Sequence, residues 1–142
     1  MELTALQTRL RDLVAACPLL AGRPVLIEEK GNLVSELETA LSTQSLAVVI
    51  APASGQVQDG APPSRAGWEE SFDVVIHRGL LDDASTPTTV AVLDQLRAAL
   101  HGAPLDAGRT LRGAFAARRH ELRENGDGSY ARALTIVVIH AV

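Results

Sequence analysis

Four histidines, one cysteine, the acidic doublets Glu69-Glu70 and Asp82-Asp83 and a cluster of arginines are residues of this chain whose types could do chemistry. His77, His120 and His140 fall on segments with strand patterning, and His101 falls at a helix exit, so a sheet could bring three imidazoles near one another. Metal ligation would need consistent spacing or partner carboxylates, and no recognised ligand motif is present. Cys17 has no obvious base, and no Gly-x-Ser-x-Gly elbow frames a nucleophilic serine. No Walker-type lysine follows the glycines, so a phosphate-cradling loop is unsupported. Glu69-Glu70 and Asp82-Asp83 are adjacent pairs whose side chains diverge on a strand or lie in a loop, without the common focus that acid–base work needs. The expected catalytic, cofactor and metal sites are none, and the chain reads as a non-enzyme.

The arginines carry a different signal. Arg109, Arg112, Arg118, Arg119 and Arg123 crowd one predicted strand, while acidic residues dominate the earlier segments. Arg118 and Arg119 would point to opposite faces of that strand, so they cannot clamp one phosphate together. A formal charge of −4 and an aromatic content of 3% also weigh against a nucleic-acid surface, which needs net positive charge and stacking platforms. Separated charge of this kind suits a subunit that meets copies of itself. A solvated strand face accounts for the same residues equally well.

The elements that must position these groups follow from periodicity. Leu3, Leu6, Leu10, Leu13, Val14 and Cys17 share one face at helical spacing, which makes Cys17 a core residue, and Pro18 marks the exit. Pro24 to Lys30 reads as a short strand carried by Val25-Leu26-Ile27. Asn32 is placed to cap a second helix bearing Leu33, Val34, Leu37, Ala40 and Leu41. Ser45 to Ala51 is an apolar strand, and residues 52–67, rich in Pro, Ala, Ser and Gly, read as a flexible surface arm. Trp68 to His77 is a strand with Phe72, Val74 and Ile76 on one face and Asp73, Val75 and His77 on the other. Thr86-Pro87 opens a third helix that buries Val90, Leu93, Leu96, Ala99 and Leu100 and stops at Gly102. Leu105 is placed to close the turn over that helix end.

The last third is a long hairpin. Thr110 to Glu124 and Tyr130 to Ala141 flank Asn125-Gly126-Asp127-Gly128, whose residues accept the positive φ of a tight turn. From Leu134 onward both faces of the final strand are apolar, so its base is expected in the core and its tip in projection. Together these elements predict an α+β fold: a mostly antiparallel sheet with a long C-terminal β-hairpin, packed by about three helices on one side.

Composition sets the frame. At 142 residues and 46% hydrophobic content the chain is expected to be one domain, 1–142, burying roughly 70% of its unfolded surface. No apolar run approaches the length of a membrane span, and Met1-Glu2-Leu3 lacks the basic start of a signal peptide, so a cytoplasmic origin is expected. With one cysteine no internal disulfide is available.

The strand Ser71-Phe72-Asp73-Val74-Val75-Ile76-His77, the helix Val90 to Leu100, its exit Leu100-His101-Gly102, and a last strand entered through Asp127-Gly128-Ser129-Tyr130 form a recognisable order. Over residues 68–142 this order resembles tailed-phage tail terminator proteins and related minor tail or head-tail joining subunits of lambda-like and Mu-like prophages. The N-terminal half is similar, less specifically, to Mu-like tail-module proteins. The resemblance implies a structural subunit that forms a homo-oligomeric ring, typically a hexamer, on the end of the tail tube. Such a ring stops tube polymerisation and meets the head-tail connector protein, and phage DNA passes through its lumen without specific binding. Its expected partners are itself, the tail tube protein and the connector, with no membrane; its place is the virion, after assembly in the host cytoplasm. A head-tail connector or stopper is the near alternative, and a small non-enzymatic ligand-binding α/β domain is the alternative of another class.

Ring closure needs a heterologous interface, one patch meeting a different patch on the next copy. Arg112, Arg118, Arg119, Arg123, Glu124, Asn125 and Asp127 are the expected interface residues, with Glu69, Glu70, Asp82 and Asp83 as their acidic counterparts. The hairpin tip and the 52–67 arm are the candidate donor elements.

Overall fold

A computed structural model describes residues 2–28, 31–57, 67–79, 85–124 and 129–141. The chain begins with helix α1 (Leu3–Ala15) and a 3-10 turn at Pro18–Leu20, then strand β1 (Val25–Ile27), helix α2 (Leu33–Gln44) and strand β2 (Leu46–Val57). Strand β3 (Gly67–Arg78), helix α3 (Thr89–Leu100), and strands β4 (Ala116–Glu124) and β5 (Tyr130–Ala141) complete it. Five strands form one sheet in the order β1-β2-β3-β5-β4. β1 runs parallel to β2, and α2 is the crossover that a parallel pair requires. Every other pairing is antiparallel. The α+β class, the antiparallel majority and the C-terminal hairpin are as the sequence predicts.

One face of the sheet makes the main core. Leu46, Val48 and Ile50 of β2, Phe72, Val74 and Ile76 of β3, and Leu134, Ile136 and Val138 of β5 stand side by side. They meet Leu6, Leu10 and Val14 of α1 and Val92, Leu93, Leu96 and Leu100 of α3. Cys17 is buried among them, as the helical stripe predicts. The opposite face carries a small apolar cluster, Val75, Ala131 and Ala133, with Ala47, Val49 and Val137 also buried on that side. α2 packs on β1 and β2.

Several boundaries differ from the sequence reading, each for a local reason. The cap of α3 is Thr88, whose hydroxyl accepts from the Ala91 N–H at 3.1 Å. Thr86 is instead buried, its hydroxyl 2.9 Å from that of Ser45. Val90, placed in the buried stripe by periodicity, is exposed. Asn32 sits at the N-cap of α2 without a side-chain capping bond. β2 runs on to Val57, so the Pro52 to Val57 part of the expected arm pairs with β3; Gly67 at its far end opens β3, and residues 58–66 lie outside the described residues.

β4 starts at Ala116, not Thr110. The carboxylate of Asp106 accepts from the backbone N–H groups of Thr110 and Leu111, which folds the preceding segment into a turn. Phe115, buried at 1% exposure, ties the turn to the end of α3: it donates to the Ala103 carbonyl and accepts from Gly102, whose φ is 83°. Arg109 and Arg112 therefore lie in this turn and not on the strand. β5 is paired with β3 from Tyr130–Arg78 to Ala141–Gly67, so the described part of the hairpin ends level with β3. The expected projection of its tip falls on residues 125–128, outside the described residues.

Candidate assembly surface

The arginines of β4 come to different ends. Facing pairs in an antiparallel sheet share a face, so the register defines three rows across the side opposite α1 and α3. These are Arg119–Thr135–Asp73–Ala51, Glu121–Ala133–Val75–Val49 and Arg123–Ala131–His77–Ala47. Arg123 is the side chain that crosses these rows. Its Nη2 lies 3.2 Å from Asp73 Oδ2 and 2.7 Å from Glu121 Oε1, and its Nε donates to the same Glu121 oxygen at 2.9 Å. Thr135 adds a longer contact, 3.5 Å from its hydroxyl to Asp73 Oδ1. The hydrogen bond from Arg123, then its charge, hold the Glu121 carboxyl below the usual carboxylate range.

His77 shares the Arg123 row. Burial first, and the Arg123 charge second, push its imidazole below its ordinary value of 6.5. His101, at the end of α3, accepts at Nδ1 from the Ala117 N–H at 3.0 Å and so fixes the entry to β4. His120 is exposed on the helix-facing side of β4, level with Leu134. His140 is described by its backbone register alone, level with Trp68. Among the described residues no three His, Cys, Asp or Glu side chains are grouped to hold a metal. Burial raises the Cys17 thiol above its ordinary value, away from the thiolate a nucleophile needs.

Arg118 and Arg119 are exposed and make no ion pair with a described residue. The register between β4 and β5 slips between Ala117 and Arg119, leaving Arg118 as the extra residue of a bulge. Strict alternation, which would send Arg118 and Arg119 to opposite faces, does not hold across that step. Arg112 is exposed in the turn before β4, and Glu124 is exposed at its end opposite Tyr130. Asn125, Asp127, Asp82 and Asp83 lie outside the described residues. Glu69 and Glu70 stand on the early part of β3, opposite Gln56 and Gly55. Glu69 shares the Arg119 face but is two strands away and four register positions along, too far to pair within one chain.

Sequence reasoning missed Asp73 and Glu121 as the groups that engage Arg123, and Thr135 as the hydroxyl beside Asp73. The signal was present: Asp73 is a lone acid inside the apolar run Phe72–Ile76, and Ala131 and Ala133 are small residues on an otherwise bulky strand. Hollows among the described residues lie apart from the Arg123 rows. One of about 450 Å³ lies between α1 and the turn after α3, lined by Thr4, Thr8, Arg9, Asp12, Leu105 and Asp106. Another, of about 140 Å³, lies at Ser54, Gly55, Gln56, Glu69 and Ser71. No described helix is long and apolar enough to cross a membrane.

No protein-family model matches the chain, and no curated protein matches it in sequence. Among solved structures the chain is similar to one from the virion of a native gene transfer agent particle, with a TM-score of 0.63 at 18% identity. The likeness covers 96% of this chain and 95% of that one. At such identity it is a likeness of fold, and it extends from end to end.

Proposed function

We propose that this chain is a structural subunit of a phage-like particle, and within such a particle a tail terminator. The terminator forms a ring on the end of the tail tube, stops its growth and meets the head-tail connector. The observation that carries the reading is the likeness to a chain of a gene transfer agent virion, which covers 96% of this chain and 95% of that one. The order of strand, helix and paired strands from Trp68 onward supports the finer role, because it resembles the terminator family. The surface is consistent with assembly: β4 presents Arg118, Arg119 and Glu124 to solvent.

The test is electron microscopy of the protein mixed with the tail tube protein encoded beside it. The terminator reading expects rings capping tubes of limited length. Tubes that grow unchanged with this protein unbound remove the terminator role. Binding to a purified head connector in that case moves the chain to the connector side of the joint.

A further inference from the structure

Among the described residues the sheet is open along β4 on one side and, on the other, along the three-residue β1 and the part of β2 that runs beyond it, and the long open stretches of β4 and β2 differ in character. β1 pairs with β2 only from Val48 to Ile50, so from Ala51 to Val57 β2 is paired on one side alone, with β3. The other open edge is β4, paired only with β5. An open edge offers a row of backbone N–H and C=O groups to any strand that fits. β4 carries Arg118, Arg119, Glu121, Arg123 and Glu124, charges of the kind that keep an edge from pairing with its own copy. Pro52 to Val57 carries no charge at all. Pro52 is itself a residue that strands accommodate at an edge, where its missing N–H costs no ladder bond.

We propose that β4 of one copy adds to the open β2 edge, Pro52 to Val57, of the next, continuing the sheet from subunit to subunit. The inference rests on the ring reading and says how such a ring is joined. A β4–β4 contact would be two-fold and would set the basic edge against itself, whereas β4 on β2 is head-to-tail, the arrangement that closes rings. Charge favours the same choice. The side chain facing Gln56 across the ladder is Glu69, on the face that also carries Arg119 and without an ion pair to a described residue. The register adds a geometric consequence. Within one chain His120 lies level with Ile50, through Leu134 and Val74. Ser54 faces Ser71, three register positions from Val74, so meeting an edge centred on Ser54 slides each copy along the strands by about 10 Å. Stagger of this kind is what a sheet needs in order to close on itself.

Cysteine pairs test the contact directly. Cys17, the one native cysteine, is buried. Ser54 or Gln56 is changed to Cys together with Arg119 or Glu121, giving four double variants. β3 and β5 separate the two positions within a chain, a spacing of at least about 14 Å, twice the reach of a disulfide. Any bridge must then join two copies. Oxidation of tube-capping rings is expected to give a covalent ladder up to the full ring in at least one double variant, with each single variant remaining monomeric on a non-reducing gel. Rings visible in the microscope that yield only monomers in all four variants overturn the edge contact and leave the ring reading standing. Covalent dimers from Arg119→Cys or Glu121→Cys alone indicate a two-fold β4–β4 contact and also overturn it. Absence of rings, with no ladder, removes both readings together.

Discussion

Arg123 on β4 reaches Asp73 on β3 at 3.2 Å across the full width of β5. The reach is possible because the strand between them presents Ala131 and Ala133 on that face, and the arginine stem crosses where a larger side chain would block it. The pair is partly exposed, so its electrostatic worth is discounted to about 0.5–1 kcal/mol. Arg123→Ala and Asp73→Ala are each expected to lower the free energy of unfolding by about 1 kcal/mol, the arginine change also uncovering the small apolar cluster beneath. Urea unfolding of both single variants and the double variant measures the coupling. Strictly additive losses would mean that the two groups do not interact in solution.

His77 makes stability depend on pH. Its folded value is depressed, chiefly by burial, so the unfolded chain binds its proton more readily. The stabilisation is complete above the ordinary value of 6.5 and is lost as pH falls from there through the lower folded value. Urea midpoints at pH 5 and pH 7.5 are expected to differ more in the native protein than in His77→Gln. In Arg123→Ala the imidazole is expected to titrate higher, since one of the two influences that depress it is gone. An NMR titration showing His77 unmoved in that variant would assign the depression to burial alone.

Legibility in the sequence followed the range of the interactions involved. The leucine stripe of α1 and the alternation in β3 and β5 are local signals, and each of these elements formed where they placed it. The start of β4 was not legible, because the turn before it is made by Asp106 reaching forward and Phe115 reaching back to Ala103, and neither contact has a periodic signature. The cap of α3 moved from Thr86 to Thr88 because a hydroxyl 41 residues away in sequence, that of Ser45, engages Thr86. β2 ran past its apolar segment because pairing with β3 extends it into small and polar residues. In the candidate surface, the cluster of arginines was legible as charge, but its division was not. Which arginine is tied inward depends on register, and the bulge at Arg118 resets that register.

The turn ahead of β4 has its own test. Asp106 is held below the usual carboxylate range, first by its hydrogen bond from the Thr110 hydroxyl, with backbone N–H groups of Leu111 and Thr110 adding to it. Asp106→Ala is expected to loosen residues 106–114 while leaving the core intact. Hydrogen exchange would speed at Thr110 and Leu111 and stay slow in β3 and β5. Phe115→Ala removes the fully buried anchor of the same turn and is expected to cost about 3–5 kcal/mol. Equal protection of Thr110 in the native protein and Asp106→Ala would show that the carboxylate does not hold the turn.

Arg118 and Arg119 give the sharpest contrast with Arg123. All three stand within six residues on β4, yet Arg123 is ion-paired with two carboxylates of its own chain, while Arg118 and Arg119 make no ion pair with a described residue and the Arg119 charge adds only the smallest of the influences on Glu121. Exposed residues without such contacts usually change stability by no more than about 0.5 kcal/mol when replaced. Arg118→Glu and Arg119→Glu are therefore expected to unfold at the urea midpoint of the native chain. Their assembly is where the change should register, because reversed charges on the open strand would repel acidic groups such as Glu69 on a neighbouring copy. Native mass spectrometry of the tube-bound complex, with sedimentation of the free protein, is expected to show smaller or absent oligomers for both variants. The weakening should ease as salt rises, since exposed charges are screened over about 8 Å at physiological ionic strength. Oligomers of native size from both variants, at low and high salt alike, would place the contact between copies somewhere other than these two arginines.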